Sequence, residues 1–298
     1  MKNIIITGAT SFIGVRLLQQ LEKTNNKTYA VVRPNSVNRN KLMKFSDIEI
    51  IELAQENISE LKQYVDRCDV CYHLAWSGTR GLERLNESLQ KQNFNNTINT
   101  FQTVKELGCT VFIGAGSQAE YGNITDVITE ETPPRPMTAY GKYKLESCIK
   151  LNKLAEINNM RFVWGRIFSL YGEEDFHETL IMQALEKMKA NETLDMTEGT
   201  QYWNYLYVGD LVKLLIELGC ISEAYGIFNL ASNDTRLLKE YILEMKQALD
   251  SKSEINFGAI PYRKEGKMSI RPSINKLLKM LPDRKYDFEK FKNVIVKI

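Results

Sequence analysis

The chain has 298 residues, 43% of them hydrophobic, enough to bury a substantial core and to carry a smaller domain beside a large one. Its 39 Lys and Arg nearly balance 37 Asp and Glu. That balance gives no field suited to gripping a nucleic acid backbone, so the expected partners are small molecules. Met1 and Lys2 lead directly into Ile4, Ile5 and Ile6 without a long apolar leader, and no stretch reaches membrane-spanning length; a soluble cytoplasmic protein is expected.

Asn3–Thr7, a β-branched run, predicts the first strand. Similar runs at 29–32, 70–74, 111–114 and Arg161–Ile167 alternate with apolar residues at helical spacing over 14–23, 59–67, 89–107 and 139–158. The alternation predicts an α/β fold: a Rossmann-type doubly wound parallel sheet with a smaller mixed C-terminal substrate lobe. Residues 1–168 and 205–231 are assigned to the nucleotide-binding domain, with the apolar runs at 205–208 and 227–231 read as rejoining the sheet. Residues 169–204 and 232–298 hold an insertion rich in Met, Glu and Lys and a polar tail with Pro261, Pro272 and Pro282. They are expected to form a lobe over the carboxyl edge, where α/β ligands bind. Five scattered cysteines, Cys68, Cys71, Cys109, Cys148 and Cys220, read as reduced thiols. Cys68, Cys71 and His73 lack a second Cys or His pair, so no metal is assigned.

The first strand runs into a turn bracketed by Gly8 and Gly14 that opens a helix. Such a turn brings backbone N–H groups and a helix N-terminus close to a pyrophosphate. A Cβ at the closest position would hold the phosphate away, and Gly14 lets the helix pack on the strand. Ser11 stands where the middle glycine of such loops is usual. At the end of the second strand, where an acidic residue would bind the adenosine ribose of NAD, stands Arg33, with Asn35, Ser36 and Arg39 behind it. A guanidinium there suits a 2′-phosphate, so NADP(H) is preferred and NAD is the alternative.

Tyr140 and Lys144 lie one helical turn apart and share a face. Bringing a phenol from its ordinary pKa of about 10 to working pH takes roughly 4 kcal/mol of differential stabilisation. The Lys144 ammonium and a cationic nicotinamide are expected to supply much of it. Ser117 lies just after a strand, where its hydroxyl can bond the same substrate oxygen that Tyr140 protonates or deprotonates.

These segments resemble the extended short-chain dehydrogenase/reductase superfamily, in particular its nucleotide-sugar epimerases, dehydratases and 4-ketoreductases. The resemblance runs over nearly the whole chain: TGATSFIG at 7–14, DVCYHLAW at 69–76, Asn93 with Thr97, SQAEYG at 117–122, YGKYK at 140–144, RIFSLYG at 166–172 and YLYVGD at 205–210. It implies that Ser117, Tyr140 and Lys144 are catalytic. It implies that Gly8, Ser11, Phe12, Ile13, Arg33, Leu74, Ala75, Tyr140, Lys144 and Phe168 surround the cofactor. Trp76, Ser117, Gln118, Ser169, Trp203 and Arg263 are the corresponding candidates for the nucleotide-sugar substrate, and a homodimer is implied by the same likeness.

Two departures narrow the expected activity. Dehydratases of this superfamily carry an Asp-Glu pair directly after the catalytic hydroxyl residue, where this chain has Gln118 and Ala119. Many relatives also carry an Arg-Asp pair where this chain has Trp203 and Asn204. The leading expectation is an NADPH-dependent reductase of a nucleotide-linked 4-keto-6-deoxyhexose, in activated-sugar or surface-polysaccharide biosynthesis. The alternatives are a nucleotide-sugar 4-epimerase with retained NAD and a non-catalytic dinucleotide sensor; an intact Ser117, Tyr140 and Lys144 argues against the sensor.

Overall fold

A computed structural model describes residues 1–262, 268–281 and 287–298. The chain opens with β1 (Asn3–Thr7), α1 (Phe12–Leu21), β2 (Lys27–Val32), β3 (Ile48–Glu52), β4 (Val70–His73), α2 (Glu87–Glu106), β5 (Val111–Ser117), α3 (Ala139–Ile157) and β6 (Arg161–Ile167). It continues through β7 (Ser169–Tyr171), α4 (Leu180–Lys189), β8 (Leu194–Met196), β9 (Tyr202–Tyr207), α5 (Val208–Cys220), β10 (Gly226–Leu230), β11 (Thr235–Leu237), α6 (Leu238–Ala248), β12 (Ile255–Phe257), α7 (Asn275–Met280) and α8 (Phe291–Ile295). Among the described residues no helix is long and apolar enough to cross a membrane.

Seven strands form one sheet in the order β10-β6-β5-β4-β1-β2-β3, the doubly wound order in which the chain reverses direction between β1 and β4. Every pairing from β3 across to β6 is parallel. Runs such as Ile4–Ile5–Ile6 are buried on both faces, as parallel strands covered by crossover helices require. The chain divides into two compact units. The first comprises Met1–Gly122, Pro133–Ile167 and Val212–Phe228; the second comprises Asn123–Thr132, Phe168–Leu211 and Asn229–Ile298.

In the first unit, Phe101, Phe112, Phe162 and Trp164 make a run of ring contacts, with centroids 5.2, 6.5 and 6.0 Å apart in turn. Trp164 is fully buried because its cross-strand neighbour in β5 is Gly114. A Cβ there would lie 2.4 Å from the indole ring. The second unit holds a three-stranded sheet, β11-β9-β7, and the parallel pair β12-β8. Its core gathers Tyr171, Tyr205, Tyr241 and Phe291, the last two with centroids 4.9 Å apart.

Three expectations about elements change. Residues 205–208 do not rejoin the main sheet: Tyr205 packs into the second unit's aromatic core, which draws β9 between β7 and β11. Residues 59–67 do not form a regular helix; 3-10 turns span Gln55–Gln63 with non-helical backbone at Asn57. Strand β3, unforeseen, is an edge strand whose exposed glutamates masked its isoleucines.

The tight fit of Trp164 gives a stability test. Gly114→Ala is expected to lower the free energy of unfolding by about 1 to 3 kcal/mol, measured by urea titration, because the indole has no flexible end to yield.

Candidate active site

In the first unit, β1 ends at Thr7 and the backbone turns at Gly8, whose φ of +70° lies in the left-handed region. A Cβ on Gly8 would meet the Ala75 nitrogen at 2.7 Å, and one on Gly14 would meet the Gly8 carbonyl oxygen at 2.4 Å. The loop is thus pressed against the end of β4, where Leu74 N–H donates to the Thr7 carbonyl. Ser11, in the glycine position, is the N-cap of α1: its hydroxyl accepts from Gly14 N–H at 3.0 Å. Phe12 and Ile13 form the first turn, which carries no acidic residue to repel an anion. A glycine cradle that a Cβ would fill, opening a ten-residue helix at the switch point, fits the pyrophosphate of a dinucleotide.

Arg33 follows β2 directly and is exposed. Of the residues behind it, Ser36 is buried and its hydroxyl bridges to Thr10 of the glycine loop at 3.1 Å, while Arg39 is ion-paired with Glu52 of β3. Of the two arginines, Arg39 is thus occupied by a carboxylate and Arg33 stands at the strand end.

The same unit brings Ser117, Tyr140 and Lys144 together. Ser117 ends β5; its hydroxyl accepts from Ala119 N–H at 3.2 Å and lies near enough to the Tyr140 phenol to pull its pKa down. Tyr140 lies in the first turn of α3, whose N-cap Thr138 accepts from Gly141 N–H. Lys144 is 4% exposed and stands with its ammonium 6.0 Å from the Tyr140 ring centroid. Its Nζ donates to the Ala115 carbonyl at 2.6 Å and rests 3.8 Å above the centroid of Trp76.

Lys144 is not among the groups that shift Tyr140. Burial dominates and raises the phenol above its ordinary value; Ser117 and the Arg84 guanidinium pull it down, and Glu120 pushes it up. Burial also pulls Lys144 down to about 7, against the opposing charge of Glu120.

Sequence reasoning missed three residues that organise this centre. Glu120 is fully buried and accepts from Ser117 N–H at 2.8 Å, Trp164 Nε1 at 2.9 Å and Arg166 Nε at 2.7 Å. Gln90 on α2 accepts from Trp76 Nε1 at 2.7 Å and donates to the carbonyls of Gly78 and Glu83. Arg84, in the 3-10 turn Gly81–Leu85, places its guanidinium carbon 4.9 Å from the Tyr140 ring centroid. Glu120 had a legible signal, a charge three residues after Ser117 in capping-box spacing. The other two had none, since polar side chains in a long loop and on a helix face usually meet water.

The remaining candidates divide. Trp76 meets Tyr140 edge-on at 6.2 Å, and the Gln118 side-chain oxygen is buried without a hydrogen-bond partner among the described residues. Asn93 ties down the Ser77 backbone, and Thr97 bonds His73, which burial pulls down to about 3 and so keeps neutral. Phe168, Ser169 and Trp203 belong to the second unit. There Phe168 N–H donates to the Leu230 carbonyl, Ser169 begins β7, and Trp203 on β9 has a buried indole N–H without a partner among the described residues. Arg263 lies outside the described residues.

A doubly wound sheet with a glycine cradle after β1 and a Ser, Tyr and Lys gathered beyond β5 defines a nucleotide-cofactor enzyme of the short-chain dehydrogenase/reductase plan. Residues 4–231 match the model of the NAD dependent epimerase/dehydratase family, and the chain belongs to that family. It is an NAD(P)-dependent enzyme. The chain is 25% identical over 279 residues to dTDP-6-deoxy-L-talose 4-dehydrogenase (NAD(+)) of Aggregatibacter actinomycetemcomitans, covering 90% of this chain and 98% of that one. It is 25% identical to CDP-abequose synthase of Salmonella muenchen over 97% of this chain and 95% of the other. In fold it is similar to UDP-N-acetylglucosamine 4-epimerase from Methanobrevibacter ruminantium M1, with a TM-score of 0.87 at 21% identity, over 99% of this chain and 96% of that chain.

The depressed Lys144 has a stability consequence. Its folded pKa of about 7 lies below the ordinary 10.5. Above pH 7 the unfolded chain therefore binds more protons at this site, and stability rises with pH. Lys144→Met abolishes that titration. The variant's stability relative to the parent is expected to be most favourable near about pH 6 and to decline towards about pH 9 in thermal or urea unfolding.

Proposed function

We propose that the protein is an NADPH-dependent reductase of a nucleotide-linked 4-keto-6-deoxyhexose. The observation that carries this reading is a protonated, buried Tyr140 beside Ser117, with Gln118 and Ala119 in the places where a dehydratase needs acids. The relatives named above, a 4-dehydrogenase of a dTDP-6-deoxy sugar and a CDP-abequose synthase, support a nucleotide-sugar substrate and redox chemistry at its C4.

The reduced nicotinamide, when bound, supplies hydride for the keto carbon. Gly8, Ser11, Phe12, Ile13, Leu74, Ala75 and Lys144 would hold the dinucleotide, with Arg33 at its 2′-phosphate. Tyr140 gives its phenolic proton to the oxygen at C4, and the Ser117 hydroxyl steadies that oxygen by a hydrogen bond. Burial, which keeps Tyr140 protonated, suits it to begin the reaction as the acid rather than the base.

Tyr140→Phe keeps the ring and removes the proton. Nucleotide sugar and NADPH are expected to bind as before while single-turnover oxidation of NADPH by a nucleotide 4-keto sugar falls by about 10² to 10⁴. An unchanged rate would remove Tyr140 from the chemistry. Stable consumption of NADPH in proportion to product separates reduction from epimerisation, in which the cofactor returns to its starting state.

The cofactor preference has its own test. NADPH is expected to bind more tightly than NADH, and Arg33→Asp to lose about ten- to a hundredfold in NADPH affinity, as removal of one charge-assisted phosphate contact predicts. Equal affinities in the parent, read by fluorescence titration, would remove the argument from Arg33.

A further inference from the structure

We propose that Arg84 is a positioning residue of the reaction centre, its guanidinium held over the Tyr140 ring as a fixed positive charge beside the proton donor. The proposal rests on the reading of Tyr140 as proton donor and adds to it the cation that tunes the donor.

The geometry is specific. The Arg84 guanidinium carbon lies 4.9 Å from the Tyr140 ring centroid, on a side chain whose Nε is shut off from solvent and has no hydrogen-bond partner among the described residues. A buried donor without an acceptor costs free energy, so the side chain needs a compensating attraction, and the face of an aromatic ring supplies one. That attraction grows when the ring carries the charge of a phenolate. The turn that bears Arg84 is itself fastened: Gln90 Nε2 donates to the carbonyls of Gly78 at 2.9 Å and Glu83 at 3.0 Å.

The other polar groups around Tyr140 leave this role open. The Ser117 hydroxyl, at the end of β5, also pulls the phenol down but carries no charge. Glu120, from the 3-10 turn Gln118–Glu120, opposes ionisation, with its carboxylate shared among three donors. Lys144, on the same helix, spends its ammonium on the Ala115 carbonyl and the face of Trp76. Trp76 stands nearly perpendicular to the phenol ring and carries no charge. Among the described residues, Arg84 is the cation whose charge draws the phenol down.

The test uses Arg84→Gln and Arg84→Lys in protein saturated with NADP⁺. Tyrosinate absorbance is titrated against pH, and the signal of Tyr140 is isolated by subtracting the Tyr140→Phe protein. Arg84→Gln is expected to raise the Tyr140 midpoint by about one pH unit, a tenfold loss of phenolate at fixed pH, and Arg84→Lys to recover at least half of that shift. The high-pH limb of single-turnover NADPH oxidation is expected to move upward with it, since protonated Tyr140 is the competent form. Arg84→Met, which keeps the apolar stem, gives the same comparison should the glutamine variant fail to fold. A Tyr140 midpoint unmoved by loss of the guanidinium overturns the proposal. A moved midpoint with an unmoved rate limb upholds the assignment of Arg84 and overturns Tyr140 as the proton donor.

Discussion

A carboxylate closed off from water organises the first unit. Burying Glu120 is expensive unless its charge is matched and its lone pairs are filled, and Arg166, Trp164 and the Ser117 backbone do both. Each donor imposes a condition. Arg166 and Trp164 must project from β6 at fixed heights, which sets the β5–β6 register; Ser117 must end β5 where its amide reaches the carboxylate. Gly116 must lack a side chain, because a Cβ there would lie 2.7 Å from a Glu120 oxygen and 2.3 Å from the indole nitrogen. The hydroxyl that meets Tyr140 is therefore placed by a buried ion pair lying behind it.

Desolvation is the stronger force on the ionisable groups around that hydroxyl. It raises Tyr140, lowers Lys144 to about 7 and keeps His73 neutral between the hydroxyls of Thr7 and Thr97. A dry centre favours uncharged forms, and it also magnifies every fixed charge within reach. The centre thus holds its proton on the phenol, while the positions of Arg84 and Glu120 decide how readily it is released.

What the sequence disclosed follows from periodicity. Alternating strand and helix patterns gave the parallel sheet, and the glycines at 8 and 14 gave the turn after β1, because both depend on local backbone rules. The four-residue spacing of Tyr140 and Lys144 placed them on one face but could not say where a flexible ammonium would point, which the Ala115 carbonyl decides. Residues 205–208 read as a main-sheet strand because an apolar run carries no information about its neighbours. Ser11 looked like a defect in a glycine loop and is a helix cap. Arg84 and Gln90 were illegible because their partners lie in a loop and on a helix brought together only by folding.

The clasp formed by Gln90 and Asn93 has an implication for protein engineers. These two side chains, one turn apart on α2, hold the backbone at Ser77, Gly78 and Glu83 and the indole of Trp76. The segment from Trp76 to Arg84 and the helix that fastens it therefore behave as one transplantable cassette. A loop exchanged with a relative to alter specificity would arrive without its anchor unless residues 90 and 93 travelled with it.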